Sequence, residues 1–193
     1  IGWNIPTSDE VQTVDVDSEA EQAYIDFAPT SAAGYARLPV VPYAVIVEEQ
    51  NTDDSQQAIA IPSAVSGTLS ANKEVDSYRF RAMKGKKVVL HAQSRGLSSP
   101  ADVVLEVVNA AGEVLQENDD ASRDERDSRL TFAPPSDGEF EVRIRDLHGR
   151  GGIRFAYLLT IELETPRFQL SIAAGEFAVE AGKTVEIPVT VTR

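Results

Sequence analysis

Side chains that commonly carry chemistry are scarce in this sequence of 193 residues, which has no cysteine and only two histidines. The lack of cysteine excludes disulfides, thiolate metal sites and thiol nucleophiles. His91 lies in a strand-like stretch, and His148 lies in RDLHGRGG, which has the composition of a turn. No G-x-S-x-G nucleophile turn and no glycine pattern typical of nucleotide binding is present. We therefore expect that this chain is not an enzyme and has no catalytic residues.

Positive charge and long hydrophobic runs are also in short supply. The 31 acidic residues outnumber the 18 basic ones, which argues against a nucleic-acid partner because phosphates are bound largely by Lys and Arg. The net charge of -13 instead favours the attraction of cations. No stretch approaches the roughly 18 to 20 apolar residues that a membrane helix needs, so we predict no membrane span. The chain starts at Ile1 and stops at Arg193 within a strand-like run, so we expect it to be a piece of a longer protein.

What the sequence does have is an apolar pattern of period two. In FEVRIRD, Phe140, Val142 and Ile144 alternate with charged residues, which predicts a strand with one face in the core and the other in water. Similar stretches recur about every 8 to 14 residues with turn residues between them, the spacing of an antiparallel sandwich. They are SYRFRA, KKVVLHAQ, ADVVLEVVNAAGEVLQ, RLTFAPP and RFAYLLTIELE. We predict an all-β fold, an antiparallel β-sandwich.

The alternating pattern divides the chain into three parts. We predict the complete sandwich at residues 51–165. Residues 1–50 hold shorter strand-like pieces between polar turns, and we interpret them as the end of a preceding β-domain or linker. A new alternating set follows at residues 166–193, too few strands to bury a core of their own. We interpret this last part as the truncated start of a following β-domain.

Two segments rich in carboxylates are candidates for a metal site, because calcium binds several oxygens at short range. The first is VEEQNTDDS, directly before the predicted sandwich, and the second is NDDASRDERDS, between two predicted strands. Neither has the spacing of an EF-hand loop, and a charged turn that discourages edge-to-edge association is the alternative for both. Their oxygen-bearing residues are Glu48, Glu49, Asn51, Asp53 and Asp54 in the first, and Asn118, Asp119, Asp120, Asp124 and Asp127 in the second.

Taken in order, the central segments resemble the bacterial pre-peptidase C-terminal domain. The likeness covers about residues 45 to 163 and includes Asp76 ahead of the aromatic pair Tyr78 and Phe80. Its segments are VEEQNTDDSQQA, AVSGTLSANKEVDSYRFRAMKGKKVVLHAQ, ADVVLEVVNAAGEVLQENDD, DSRLTFAPPSDGEFEVRIRD and GGIRFAYLLTIE. The resemblance implies a noncatalytic, jelly-roll-like sandwich that assists, positions or targets the domains attached to it. It also implies a secreted or cell-surface protein.

Related collagen-binding domains of bacterial collagenases hold calcium with a leading segment Glu-x-Glu-x-Asn-Asp and a later Asp. Glu49 and Asn51 match the second Glu and the Asn, and Asp76 matches the later Asp. Val47 and Thr52 stand where the motif has two further carboxylates, so a neighbouring Asp would have to take part. The resemblance thus implies a calcium site at Glu49, Asn51, Asp53 and Asp76. A weaker calcium site is expected among the turn-forming residues Asp119, Asp120 and Asp127.

Three functions remain open at this point. The first is a spacer, or a binding domain for an extracellular protein or polysaccharide, next to other domains of the same larger chain. The second is the accessory C-terminal domain of a secreted peptidase whose catalytic domain lies outside this chain. The third is a calcium-dependent binder of matrix protein or carbohydrate.

Overall fold

The computed structural model describes residues 24–27, 36–49, 56–123, 125–165, 169–173 and 175–192. The chain divides into two compact units, Ile1–Leu163 and Glu164–Arg193. Within the described ranges, no helix is long and apolar enough to cross a membrane.

Regular structure in the first unit is almost entirely β. A 3-10 turn at Arg95–Leu97 is the one helical element in the part of the chain that the structure describes. The strands are β1 (Tyr24–Phe27), β2 (Ala36–Pro39), β3 (Val45–Val47), β4 (Gln57–Ala58), β5 (Ser63–Thr68), β6 (Val75–Ala82), β7 (Val88–Gln93), β8 (Val103–Val108), β9 (Val114–Asn118), β10 (Ser128–Phe132), β11 (Gly138–Asp146) and β12 (Ala156–Leu163).

Two five-stranded sheets pack as a sandwich. The first sheet has the order β10-β7-β12-β5-β3, and the second has the order β4-β6-β11-β8-β9. Neighbouring strands are antiparallel except at one edge of each sheet, where β3 runs parallel to β5 and β4 runs parallel to β6. Strands β1 and β2 form a separate antiparallel pair. The predicted β-sandwich is confirmed, and the two parallel edge pairs are an addition to it.

Alternation along the strands creates the core between the sheets. In β11, Phe140, Val142 and Ile144 are buried while the charged residues between them are not. In β6 the same rule buries Tyr78 and Phe80 and leaves Arg79 and Arg81 exposed. The two inner faces therefore meet as an apolar layer.

Three phenylalanines join the sheets near one end of this core. The ring of Phe132 in β10 lies 5.0 Å from that of Phe140 and 6.4 Å from that of Phe80, both in edge arrangements. The rings of Phe80 and Phe140 are 6.0 Å apart. Edge contacts of this kind are favourable beyond the area they bury.

The first sheet extends further toward the N-terminus than the sequence suggested. The sequence pattern places residues 45–47 in the preceding segment, but as β3 they pair with Ala64, Val65 and Ser66 of β5. Ile46 packs against the core. The sandwich therefore includes a strand contributed from before residue 51, because long-range pairing rather than local pattern decides where a short strand belongs.

The second unit contains one antiparallel pair, β13 (Gln169–Ile172) and β14 (Val189–Thr192). Its apolar side chains Leu170, Ile172, Val189 and Val191 are between 50% and 62% exposed. A two-stranded pair cannot bury such side chains by itself. The interpretation of residues 166–193 as the start of a further β-domain stays a prediction.

Candidate cation-binding site

A cavity of about 690 Å³ opens where β3, β5 and the start of β6 come together. Acidic side chains lie within it, and the aliphatic residues Val47, Val75 and Ile153 also line it. Ile153 is 95% exposed, so the apolar part of the lining faces solvent. The remaining lining residues are Glu48, Ser66, Gly67, Thr68, Ser70, Glu74 and Asp76.

Three carboxylates converge in this cavity. Glu48, Glu74 and Asp76 can each place one oxygen within 4.8 Å of the others. Glu48 follows β3 on the side of Ile46, which faces inward, while Val47 and Glu49 are exposed. Asp76 is the second residue of β6 and Glu74 directly precedes the strand, so alternation along the extended chain turns both side chains to the same face. Two distant parts of the chain thus supply the cluster.

Each carboxylate is held by a hydrogen bond from a neighbouring part of the fold. The main-chain N–H of Thr68 in β5 donates to Oε2 of Glu48 at 2.8 Å. The main-chain N–H of Ala71 donates to Oε2 of Glu74. The hydroxyl of Tyr157 in β12 donates to Oδ2 of Asp76 at 2.7 Å.

The bond to Asp76 continues into the core. The hydroxyl oxygens of Tyr78 and Tyr157 are 2.6 Å apart. Because Tyr157 uses its single proton on Asp76, Tyr78 is the donor in this pair. Both tyrosines are 1% exposed. A buried chain of hydrogen bonds therefore orients the Asp76 carboxylate from the inside.

The electrostatics of the cluster disfavour three full negative charges. Burial raises the pKa of Asp76 to about 7, and the charges of Glu48 and Glu74 act in the same direction against the hydrogen bond from Tyr157. Burial also raises the pKa of Glu48, against its hydrogen bonds with Thr68 and Asp76. Such a group is stabilised by a shared proton or by a cation.

The donor set fits a hard cation. All three side chains offer carboxylate oxygens, which are ligands that calcium accepts readily. No His joins this group among the residues that the structure describes, and the chain has no Cys, so the nitrogen and sulfur ligands preferred by zinc are missing here. The ligand atoms of this cluster therefore suit calcium better than zinc.

The residues predicted for the first calcium site are only partly brought together. Asp76 belongs to the cluster, but Glu49 is exposed and its neighbour Glu48 takes the place beside Asp76. Asn51 and Asp53 lie outside the described residues. The sequence did not lead us to Glu74, although a residue two positions before Asp76 in an extended chain faces the same side. In the same way, Glu48 lies two positions after Ile46, so alternation predicts that it faces inward with Ile46.

The second acidic segment has a different arrangement. Asp119 and Asp120 are exposed, and no second group of three clustered carboxylates occurs within the described ranges. The Oδ1 of Asp127 accepts the main-chain N–H groups of Ser94 at 3.0 Å and Arg95 at 2.9 Å, at the start of the distant 3-10 turn. The predicted weaker calcium site at these residues stays a prediction.

Asp146 has a structural role beside His148. Its Oδ1 accepts the main-chain N–H groups of His148 and Arg150, and its Oδ2 accepts that of Asp102. The guanidinium of Arg150 bonds both of its oxygens. Burial opposes ionisation of Asp146, but these donors outweigh it and lower its pKa to about 2. Both oxygens of the Asp146 carboxylate thus accept hydrogen bonds, and they hold the turn at residues 146–150 in place. We call this carboxylate the turn anchor.

The family comparison covers Glu74, Asp76 and Asp146. Residues 74–146 match the family model described as the bacterial pre-peptidase C-terminal domain. The chain is similar to that family over 73 of its 193 residues. Pre-peptidase C-terminal domains are noncatalytic accessory modules of secreted bacterial proteins. The matched segment starts at Glu74, so β3 and Glu48 precede it.

Distant similarities to solved structures accompany the match to the pre-peptidase C-terminal family. One is the pre-peptidase C-terminal domain of a collagenase from Bacillus anthracis, at 11% identity and a TM-score of 0.46 over 58% of this chain and 100% of that one. Another is PliG of Aeromonas hydrophila, a periplasmic inhibitor of g-type lysozyme, at 10% identity and a TM-score of 0.42 over 57% of this chain and 100% of that one. No curated protein matches the sequence.

Proposed function

We propose that this sandwich is an accessory module of a larger secreted or cell-surface bacterial protein, and that it binds calcium through Glu48, Glu74 and Asp76. In that setting it serves as a spacer or as a binding domain for an extracellular protein or polysaccharide. The observation that carries the calcium proposal is the convergence of these carboxylates, from the end of β3 and the beginning of β6, in one open cavity.

Calcium at this cluster would link the two sheets, because its ligands come from both of them. Glu48 follows the edge strand of the first sheet, whereas Asp76 lies in β6 of the second sheet and Glu74 directly precedes that strand. A divalent cation would neutralise carboxylates that otherwise repel one another. Calcium commonly takes six to eight oxygens, so water and further oxygens would complete the shell. The expected result is a sandwich that is stiffer at this end.

Thermal melting with and without calcium tests the proposal directly. A ligand that binds only the folded state stabilises it by about 2.7 kcal/mol at a hundred times its dissociation constant. For a protein of this size that corresponds to a rise in melting temperature of roughly 5 to 10 °C. The wild-type protein should show this rise on adding millimolar calcium after treatment with EDTA.

Two variants make the test specific to the cluster. Asp76→Asn should abolish most of the calcium-induced rise because it removes a central carboxylate. Asp137→Asn, at an exposed carboxylate outside the cluster and outside both acidic segments, should retain it. An unchanged melting temperature of the wild type in millimolar calcium, or an equal rise in Asp76→Asn, would contradict the proposal.

A second function is supported by the family match: the accessory C-terminal domain of a secreted peptidase. The catalytic domain would then lie outside this chain. The complete open reading frame distinguishes this function from a spacer in a surface protein. An export signal together with a peptidase domain ahead of residue 1 would support it, whereas a cytosolic enzyme without an export signal would contradict both placements.

Calcium-dependent binding of matrix protein or carbohydrate is the third function to separate. Pull-down on insoluble collagen and on insoluble polysaccharides, in calcium and in EDTA, makes that separation. Retention only in calcium would favour the binder. Equal recovery in the unbound fraction under both conditions, with a normal calcium-induced rise in melting temperature, would favour the spacer.

A further inference from the structure

The side chain of Gln57 crosses from one sheet to the other beside the carboxylate cluster. Its backbone lies in β4, at the edge of the second sheet. Its Nε2 donates to the main-chain oxygen of Val47 at 3.4 Å, and its Oε1 accepts the main-chain N–H of Glu49 at 3.4 Å. Both partners lie at the edge strand of the first sheet or directly after it. One carboxamide therefore connects the two sheets.

These two bonds reproduce the pattern of a parallel strand. In a parallel pair, a residue donates to the carbonyl before the facing residue and accepts from the N–H after it. Here the facing residue is Glu48, which has Val47 and Glu49 on either side. On its other side, the N–H of Glu48 donates to the main-chain oxygen of Ser66 in β5 at 3.0 Å. The backbone around Glu48 is thus held from both directions.

The backbone of Gln57 pairs with β6, the strand that contains Asp76 and directly follows Glu74. Gln57 is the partner of Tyr78 in the parallel pairing of β4 with β6. Tyr78 is two residues beyond Asp76 on the same inward face of β6. A single residue therefore relates the position of Glu48 to the positions of Asp76 and Glu74.

We propose that Gln57 is a positioning residue for the cation site, which holds Glu48 at binding distance from Glu74 and Asp76. This inference rests on the proposed calcium function and extends it to a residue that touches no ligand itself. Among the residues that the structure describes, β3 without the carboxamide would keep its hydrogen bonds to β5 on one side, and Glu48 would have to be ordered when calcium binds. Ordering a ligand at the moment of binding costs affinity, and loss of a residue that orients a metal ligand commonly weakens metal binding about 10- to 100-fold.

Isothermal titration calorimetry with calcium tests the role of Gln57. Gln57→Ala should raise the calcium dissociation constant about tenfold. Gln57→Met, which keeps an unbranched side chain but has no amide, should do the same. Gln56→Ala is the matched control, because Gln56 contributes its main-chain oxygen to Arg79 and an alanine keeps that oxygen. It should bind calcium like the wild type.

The readouts separate a positioning role from a general loss of fold. The melting temperature in EDTA reports the stability of each metal-free variant. A positioning role predicts that Gln57→Met binds calcium more weakly while its melting temperature in EDTA stays close to that of the wild type. Wild-type affinity in both Gln57 variants, or an affinity loss in Gln57→Ala alone, would overturn this inference while leaving calcium binding intact. Absence of calcium binding in the wild type would overturn the calcium function itself and, with it, the role of Gln57.

Discussion

Tyr157 in β12 donates a hydrogen bond to Asp76 in β6 across the sandwich, at 2.7 Å, and it does so through a ring that lies against Gly67. A Cβ atom on Gly67 would be 2.3 Å from the hydroxyl end of this ring. The glycine in β5 thus provides the room in which the tyrosine reaches the carboxylate.

Replacing Tyr157 by Phe removes the donor to Asp76 and leaves a buried carboxyl oxygen without it. Unfolding by urea in EDTA should show a loss of about 1 to 3 kcal/mol in the free energy of unfolding.

The pKa of Asp76 should rise further in Tyr157→Phe, because the tyrosine hydrogen bond favours the ionised form. A nuclear magnetic resonance titration of the Asp76 carboxyl checks this. Tyr78→Phe is the control, since it keeps the bond between Tyr157 and Asp76, and an equal pKa rise in both variants would contradict the assignment.

Replacing Gly67 by Ala should force the Tyr157 ring away from its position. Overpacking in a core costs about 1 to 3 kcal/mol, and the hydrogen bond to Asp76 should be lost as well. Gly138→Ala is the matched control in β11, because a Cβ atom there meets nothing within 4 Å. Urea unfolding of both variants measures the difference. Equal stability of Gly67→Ala and Gly138→Ala would show that the ring adjusts without cost.

The metal-free protein should become less stable as the pH rises from about 4 to about 7. An unfolded Asp ionises near pH 3.9, whereas burial raises the pKa of Asp76 to about 7 in the folded protein. Between these values the folded state binds the additional proton, so the free energy of unfolding falls with increasing pH. Urea unfolding in EDTA across this range measures the trend. In Asp76→Asn the downward trend should be weaker, and a slope identical to that of the wild type would refute the attribution to Asp76.

Asp146 should contribute stability with the opposite pH dependence. The pKa of this carboxyl is lowered to about 2, so its contribution is present above about pH 4 and is lost as the pH falls toward 2. Asp146→Asn should lower the free energy of unfolding at pH 7 by roughly 2 kcal/mol, because it loses charge-assisted bonds to Arg150. Asp137→Asn removes an exposed carboxylate that accepts one N–H, from Lys84, and it should cost less. Equal losses in the two variants would contradict the anchor role.

Local alternation determined most of the strands and their buried faces. Residues such as Phe140, Val142 and Ile144 show the period of a strand without any knowledge of what covers them, because a strand turns successive side chains to opposite sides. The same rule places Asp76 and Tyr78 on one inward face. The absence of cysteine likewise established from the sequence alone that no disulfide stabilises this chain.

Only the tertiary structure decided which carboxylates meet. Glu48 and Glu49 are adjacent in an acidic run, and the pairing of β3 with β5 puts Glu48 beside Asp76 and leaves Glu49 exposed. A shift of one residue in a strand reverses the face of every side chain, so this choice depends on long-range register. The link from Gln57 to Val47 also joins different sheets. Strand pairing brings together residues that are distant in the chain, and no local pattern specifies that pairing.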